Sequence, residues 1–137
     1  ACSAIAAKLA MGHPVRIVGV ISAHATTYAD SLAAGRVVAS PVSTVLADGM
    51  ACRVADQAAL DVLAPHLDHI VQVTDNEVAE AMRMLFADIH NVAEGAGAAS
   101  FAAAWQERAA LPGRVVGTTL CGGNVDSAML ASVLSNK

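Results

Sequence analysis

The sequence has very few aromatic residues for its hydrophobicity: one Trp, one Tyr and two Phe among 137 residues, of which 55% are hydrophobic. Alanine makes up the difference, which favours closely packed helices against a sheet over a β-sandwich, because strands are enriched in aromatic and β-branched residues. A hydrophobic fraction of this size is sufficient for a buried core in one domain. Because we find no internal repeat or linker, we expect residues 1–137 to form a single unit.

Basic clusters and paired cysteines are also missing. The formal net charge is −4 and the Lys and Arg residues are scattered, which argues against binding to nucleic acid or to an anionic membrane surface. Cys2, Cys52 and Cys121 are odd in number and lack CxxC spacing, so we expect neither a disulfide framework nor a zinc site, and a cytoplasmic protein.

The N-terminus has no initiator Met, no basic segment and no long apolar run. We therefore predict neither a signal peptide nor a membrane-spanning helix. Because a helical pattern begins almost at residue 1, we interpret the chain as a fragment that starts at a helix N-terminus.

Helical and strand patterns alternate along the chain. Apolar spacing predicts helices at about 3–11, 26–34, 56–67 with an interruption at Pro65, 74–89, 94–109 and 125–134, and strands at 16–21, 69–74 and 115–120. We expect the helix at 74–89 to open with a capping box of Thr74 and Glu77 and to carry one apolar stripe, formed by Val78, Met82, Leu85 and Ile89. The strand at 16–21 is apolar almost throughout, which is typical of a strand buried on both faces. The alternation predicts an α/β fold with three layers: a mostly parallel sheet with helices on both faces.

The segment 117–126 has the pattern of a ligand-binding corner. The apolar run at 115–120 stops at Gly122 and Gly123 and a helical pattern follows, and ligands of α/β sheets bind at such strand-to-helix loops. Cys121 could serve there as a nucleophile, a metal ligand or a hydrogen-bond partner, or it could simply fill space at a strand end. We expect Asn124 to cap the last helix.

Glu94 lies in a stretch of small apolar residues, where a buried carboxylate would need a partner. It is therefore either exposed on a loop or placed for a ligand. Gly95 and Gly97 resemble a nucleotide-binding loop only weakly. Asp48 is typical of a turn, and His90 is placed to stabilise the end of a helix.

Several segments together resemble one family, the threonine/serine dehydratases, which are pyridoxal-phosphate enzymes of fold type II. The segments occur in the family's order and spacing and are 18–20 (VGV), 46–51 (LADGMA), 73–78 (VTDNEV), 90–99 (HNVAEGAGAA) and 120–126 (LCGGNVD). The sequence is most similar to the threonine ammonia-lyases and the hydroxyectoine-utilisation dehydratases.

The resemblance implies a pyridoxal phosphate site in the complete enzyme. Cys121 takes the place of the Ser or Cys that hydrogen-bonds the pyridine nitrogen, with Gly122 beside it. Glu94 would lie near the cofactor ring, and Ala47 and Gly49 would line the site through their backbone.

The resemblance also implies that much of the site lies elsewhere. Ala1 would follow the tetraglycine phosphate loop and so border the phosphate site. Neither Lys8 nor Lys137 matches the motif of the lysine that forms the Schiff base. The chain therefore resembles the C-terminal portion of the large cofactor domain, with no catalytic residue of its own, and we expect it to be inactive in isolation.

A metal site is not expected. Some enzymes similar to this family bind a divalent cation through a carboxylate just after the Gly-Val of the strand and a second acidic residue six positions further on. Here Gly19 and Val20 are followed by Ile21 and Ser22, and Thr27 stands at the second position.

The activity implied for the parent enzyme is β-elimination of water from a hydroxy amino acid such as threonine or serine, giving a 2-oxo acid and ammonia in amino-acid catabolism. The expected partners are a small amino-acid substrate and further copies of the same protein in a homo-oligomer. Two alternatives remain open: a non-catalytic α/β module that oligomerises, and a nucleotide-binding domain.

Overall fold

The computed structural model describes residues 1–135. Its helices and strands follow one another in the order α1 Cys2–Met11, β1 Ile17–Ser22, α2 Thr27–Ala34, α3 Gln57–Leu63, β2 Leu67–Val73, α4 Asp75–Ile89, α5 Gly95–Gln106 and α6 Ser127–Ser135. Short 3-10 turns lie at Asp48–Met50 and Arg108–Ala110. The alternation of helix and strand agrees with the α/β prediction.

The sheet of the described residues consists of β1 and β2, which run parallel with Gly19 opposite Ile70 and Val20 opposite Val71. Helix α5 packs against both strands. The opposite face borders a cavity of about 230 Å³ whose other walls come from α1, α2 and α3. Helices therefore lie on both faces of a parallel sheet, which confirms the predicted fold class.

The core lies mainly between the sheet, α4 and α5. Val78, Met82 and Leu85 on α4 are buried against Ala98 and Ala102 of α5. Helix α4 begins with the predicted capping box, in which the Thr74 side chain accepts from the Glu77 amide and the Glu77 carboxylate accepts from the Thr74 amide. The predicted apolar stripe ends one turn early, because Ile89 is 53% exposed.

The predicted strand at 115–120 is wrong. This segment forms no strand, and Val115, Val116 and Leu120 are exposed. Extended apolar residues become a strand only when a neighbouring strand pairs with their backbone groups, and within residues 1–135 none does so here. Strand β1 also departs from its prediction, since Val18 is 36% exposed and the strand is not buried along both faces.

Two helix boundaries also differ from prediction. Helix α3 ends at Leu63, next to the predicted interruption at Pro65, which lacks a backbone N–H and disfavours helical geometry in the residue before it. The helix does not resume after Pro65, because Leu67 already begins β2. Helix α6 begins at Ser127, and its first amides are capped by Asp126, whose Oδ1 accepts from Ala128 at 2.9 Å and Met129 at 3.1 Å. The prediction that Asn124 caps this helix is therefore wrong.

Candidate functional site

The turn at 46–50 provides one wall of the candidate site. Ala47 is fully buried, and its carbonyl oxygen accepts from the Met50 amide at 2.9 Å, which closes the 3-10 turn. A methyl group at Gly49 would lie 3.0 Å from Ala96 Cβ and 4.0 Å from Glu94 Oε1. The turn therefore contacts the start of α5 closely, and Gly49 faces the Glu94 carboxylate.

The start of α5 has no room for side chains on two sides. A methyl group at Gly95 would collide with the Leu46 carbonyl oxygen, and one at Gly97 would collide with the Cys121 carbonyl oxygen. Both glycines are buried. The glycines thus let the helix backbone approach the 46–50 turn on one side and the 121–123 loop on the other.

The loop at 121–123 forms the second wall. Gly122 has a φ of 73°, a left-handed conformation that favours glycine, and its carbonyl oxygen accepts from the Glu94 amide at 3.0 Å. A methyl group at Gly122 would collide with the Glu94 carboxylate. Glu94 is the N-cap residue of α5 and is half-buried, so its carboxylate lies between the loop and the turn.

The extended segment before this loop is attached to α5 through one serine. Ser100 Oγ donates to the Thr119 carbonyl oxygen at 2.7 Å and accepts from the Thr119 amide at 3.1 Å. Two residues further on, Cys121 is exposed and forms no disulfide. Its exposure excludes the interpretation of Cys121 as a buried packing residue.

The structure thus brings five of the six predicted site residues around the start of α5: Ala47, Gly49, Glu94, Cys121 and Gly122. We call these five residues the α5 corner. The sixth, Ala1, borders the cavity on the other face of the sheet, together with Cys2 and Gly19, and that cavity is lined by none of the five.

Two carboxylates in the first turn of α4 are held in the charged form. Burial opposes the charge of Asp75, but hydrogen bonds from Thr44 and from the Val45 and Leu46 amides outweigh it and lower the pKa of Asp75. The Thr74 amide is the main cause of the lowered pKa of Glu77, which Gln106 also supports. Both groups are therefore ionised near neutral pH.

Sequence reasoning missed the roles of Asp75 and Ser100. Asp75 was visible within the capping box, but position alone did not show that its side chain points to residues 44–46. Ser100 could have been noticed as a polar residue in an alanine-rich helix. The predicted role of His90 agrees with the structure: it ends α4 with a φ of 56°, and its Nδ1 lies 3.3 Å from the Phe86 carbonyl oxygen.

Neither a membrane span nor a metal cluster is found among residues 1–135. None of their helices has the length and apolar character needed to cross a bilayer. In the same residues, no three His, Cys, Asp or Glu side chains are grouped so that they could hold a metal ion.

Comparison with known proteins defines the class. A sequence profile described as "Pyridoxal-phosphate dependent enzyme" matches residues 1–122. The chain belongs to this family of pyridoxal-phosphate dependent enzymes, and the cofactor of the family is pyridoxal phosphate.

Within this family the chain is similar to threonine/serine dehydratases. It is 35% identical to L-threonine ammonia-lyase of Geobacter sulfurreducens, and the match covers 95% of this chain and 33% of the relative. It is 32% identical to serine racemase of Oryza sativa subsp. japonica, with 93% of this chain and 38% of the relative covered. The structure matches a crystal structure of T.th. threonine deaminase with a TM-score of 0.82 at 30% identity, over 91% of this chain and 42% of that one.

These comparisons confirm the resemblance to the threonine/serine dehydratases and to fold type II. The chain spans about a third of the length of the curated relatives it matches.

Proposed function

We propose that this chain is the C-terminal portion of the large cofactor domain of an ammonia-lyase that acts on a small hydroxy amino acid such as threonine or serine. In the net reaction the substrate loses a proton from Cα and the hydroxyl group from Cβ as water. Hydrolysis of the dehydrated product then takes up water and releases ammonia and a 2-oxo acid. The arrangement of the α5 corner is the observation that supports this proposal, together with the names of the relatives.

The residues of the α5 corner are suited to the ring side of pyridoxal phosphate. An exposed thiol, a half-buried carboxylate and the backbone of two glycine turns lie around one helix N-terminus. When bound, the cofactor supplies an electron sink for the charge left at Cα. Cys121 would hydrogen-bond the ring nitrogen, and because a neutral thiol cannot keep that nitrogen protonated as a carboxylate would, the sink stays mild, which suits elimination.

The other corner residues would position the ring. Because Gly122 has no side chain, the 121–123 loop leaves room for the Glu94 carboxylate, and the backbone of Ala47 and Gly49 lies on the opposite side. The proposal that Ala1 borders the phosphate rests on the family resemblance alone, since Ala1 lies at a separate cavity on the other face of the sheet. None of these residues moves a proton in our proposal, so the catalytic residues lie in another part of the enzyme.

We also propose that the chain alone does not catalyse the reaction. Neither Lys8, which lies on α1, nor Lys137, which lies outside the described residues, matches the family's motif for the Schiff-base lysine. The lysine that carries the cofactor would therefore come from another part of the protein. In a homo-oligomeric parent enzyme, this chain would contribute only cofactor contacts.

Titration of the purified chain with pyridoxal phosphate, followed by absorbance, tests the proposed site. We expect saturable, non-covalent binding that Cys121→Ala weakens about three- to tenfold, since a net hydrogen bond contributes about 0.5–1.5 kcal/mol. Cys52→Ala, the same change at another exposed cysteine, should leave the affinity unchanged. Equal effects of the two substitutions would remove Cys121 from the site.

The same preparation tests inactivity. We expect no 2-oxo acid from threonine or serine and no cofactor fixed to the chain by borohydride. Deamination accompanied by such fixation would refute our proposal that the lysine lies elsewhere. Saturable binding of a nucleotide, without binding of pyridoxal phosphate, would instead support a nucleotide-binding domain.

A second candidate function is an oligomerisation module without catalysis. It is favoured by the exposed apolar side chains at 115–120, where Val115 is fully exposed, because such residues often mark contact surfaces. Sedimentation would show concentration-dependent association if this were the function. A monodisperse monomer that binds no hydrophobic dye would rule it out.

A further inference from the structure

The carboxylate of Asp75 joins two parts of the chain that lie far apart in sequence. Its Oδ1 accepts from Thr44 Oγ1 at 2.7 Å, and its Oδ2 accepts from the Val45 amide at 2.9 Å and the Leu46 amide at 3.3 Å. The Thr44 hydroxyl oxygen in turn accepts from the Ala47 amide at 3.2 Å. One ionised side chain therefore fixes the backbone of residues 44–47.

This function is separate from capping α4. Thr74 is the N-cap residue, and the capping box is completed by Glu77. Asp75 is the first residue of the helix, and both of its oxygens are engaged by the 44–46 segment. Capping and attachment of the segment can therefore be disturbed independently.

The fixed segment leads directly into the α5 corner. The Leu46 carbonyl oxygen occupies the space where a side chain on Gly95 would lie, and Gly49 faces the Glu94 carboxylate. Ala47 between them is fully buried. Because this contact has no free space, a shift of the 44–46 backbone must also move the 46–50 turn relative to Glu94.

We propose that Asp75 is a positioning residue that holds the 46–50 turn against Glu94 and so shapes the cofactor corner. The effect of Asp75 on cofactor binding rests on the proposed function. Its effect on the 46–50 turn rests only on the hydrogen bonds. Asp75 acts through the turn and contacts no cofactor or substrate itself.

The test compares Asp75→Asn with Thr74→Ala in the full chain. The asparagine side chain would retain one oxygen and present an amide NH₂ in place of the other, so either Thr44 or the two amides lose their acceptor. Thr74→Ala damages the start of the same helix but leaves the 44–46 contacts. Urea unfolding of both variants shows how much each loses in global stability.

The first readout is amide hydrogen exchange. After correction for any change in global stability, we expect exchange at Val45, Leu46 and Ala47 to become at least tenfold faster in Asp75→Asn. After the same correction, exchange at these amides should be unchanged in Thr74→Ala. NMR resonances of Gly49 and Glu94 should shift in Asp75→Asn only. Unchanged exchange in Asp75→Asn, or the same local change in Thr74→Ala, would overturn the proposal.

The second readout is the affinity for pyridoxal phosphate. We expect the affinity to fall several-fold in Asp75→Asn and to be unaffected by Thr74→Ala. It should fall less in Thr44→Val, which removes one of the three donors to Asp75 and the acceptor of the Ala47 amide but leaves α4 intact. An unchanged affinity in Asp75→Asn would overturn the role in shaping the cofactor corner.

The two proposals can fail separately. If the unsubstituted chain binds no pyridoxal phosphate, the proposed cofactor site fails, whereas amide exchange still decides whether Asp75 positions the turn. If Asp75→Asn does not fold, Thr44→Val provides a local readout at Val45 and Leu46, whose amides still donate to Asp75. Unchanged exchange at both amides in that variant would count against the proposal.

Discussion

The α4–α5 pair and the segment 111–126 are held in place in different ways. Met82 on α4 is 1% exposed and Ala98 on α5 is fully buried, whereas Val115 is fully exposed. The first region is fixed by burial of apolar surface. The second is attached at a few points, mainly the Ser100–Thr119 pair and the hydrogen bond between Glu94 and Gly122.

This difference shows where the α5 corner obtains its geometry. One wall, the 121–123 loop, belongs to the weakly attached segment, and the helix start belongs to the packed region. Substitutions in the packed region should therefore unfold the whole chain, whereas those in the segment should change the corner and leave the core folded.

The largest effect is expected from Met82→Ala. Removing this buried side chain leaves a cavity between α4 and α5, and such substitutions cost about 2–5 kcal/mol. Urea unfolding should show the loss. Met11 is 75% exposed, so the control Met11→Ala should change the free energy of unfolding by less than about 0.5 kcal/mol. Similar losses in both variants would contradict the importance of the packing between α4 and α5.

Gly97→Ala should have the next largest effect. Its methyl group would collide with the Cys121 carbonyl oxygen, so the loop must move, at a cost of about 1–3 kcal/mol. NMR should show displaced resonances at residues 121–123 with the α4 resonances unchanged. Gly117→Ala is the matched control, since no atom lies within 4 Å of its added methyl group.

Ser100→Ala should have a smaller effect that is confined to the segment. It removes both hydrogen bonds to Thr119, which are exposed, so we expect a loss of about 1 kcal/mol or less. Amide exchange at Thr119 should become faster while exchange within α4 does not. The same change at the exposed Ser132 should have no such effect, and protection retained at Thr119 would show that the segment is held in another way.

The smallest effect is expected from pH at the edge of the packed region. His69 on β2 lies 2.8 Å from both Asp68 and Glu107, and Arg16 lies 3.5 Å from Asp68. The hydrogen bond with Asp68 is the main cause of the raised pKa of His69; partial burial opposes this rise and Glu107 supports it. The pKa of Asp68 is lowered, first by its hydrogen bond with His69 and then, more weakly, by the charges of Arg16 and Lys8.

A raised pKa in the folded state means that the charged His69 stabilises the fold. This contribution is fully present below the unfolded pKa of 6.5 and is lost as the pH rises through the higher folded pKa. The free energy of unfolding should therefore decline slightly above pH 6.5, by a small amount because the group is partly exposed. His69→Gln should flatten this part of the profile; an unchanged slope would assign it to other groups.

The packed region could be predicted from the sequence because its signals are local. The capping box at Thr74–Glu77 and the apolar spacing through Leu85 place α4 correctly, and Gly12 and Gly35 mark the ends of α1 and α2. The α/β class followed from this alternation. These features depend on neighbouring residues and on helical periodicity, both of which the sequence displays directly.

The segment 111–126 could not be predicted in the same way. Its apolar run has the composition of a strand, but pairing depends on a neighbour that composition does not reveal. Choosing between Asn124 and Asp126 as the helix cap required the backbone geometry, since both residue types cap well. The predicted corner residues came from the resemblance to a family, and their roles remain proposals.

The parallel pairing of β1 with β2 has a consequence for refolding. It joins residues as far apart as Gly19 and Ile70, with α2 and α3 between them, whereas α4 and α5 are connected by a short link and make many contacts with each other. Contacts that close long loops form more slowly than local ones. The α4–α5 pair is therefore expected to assemble first and to provide the surface on which the sheet is completed.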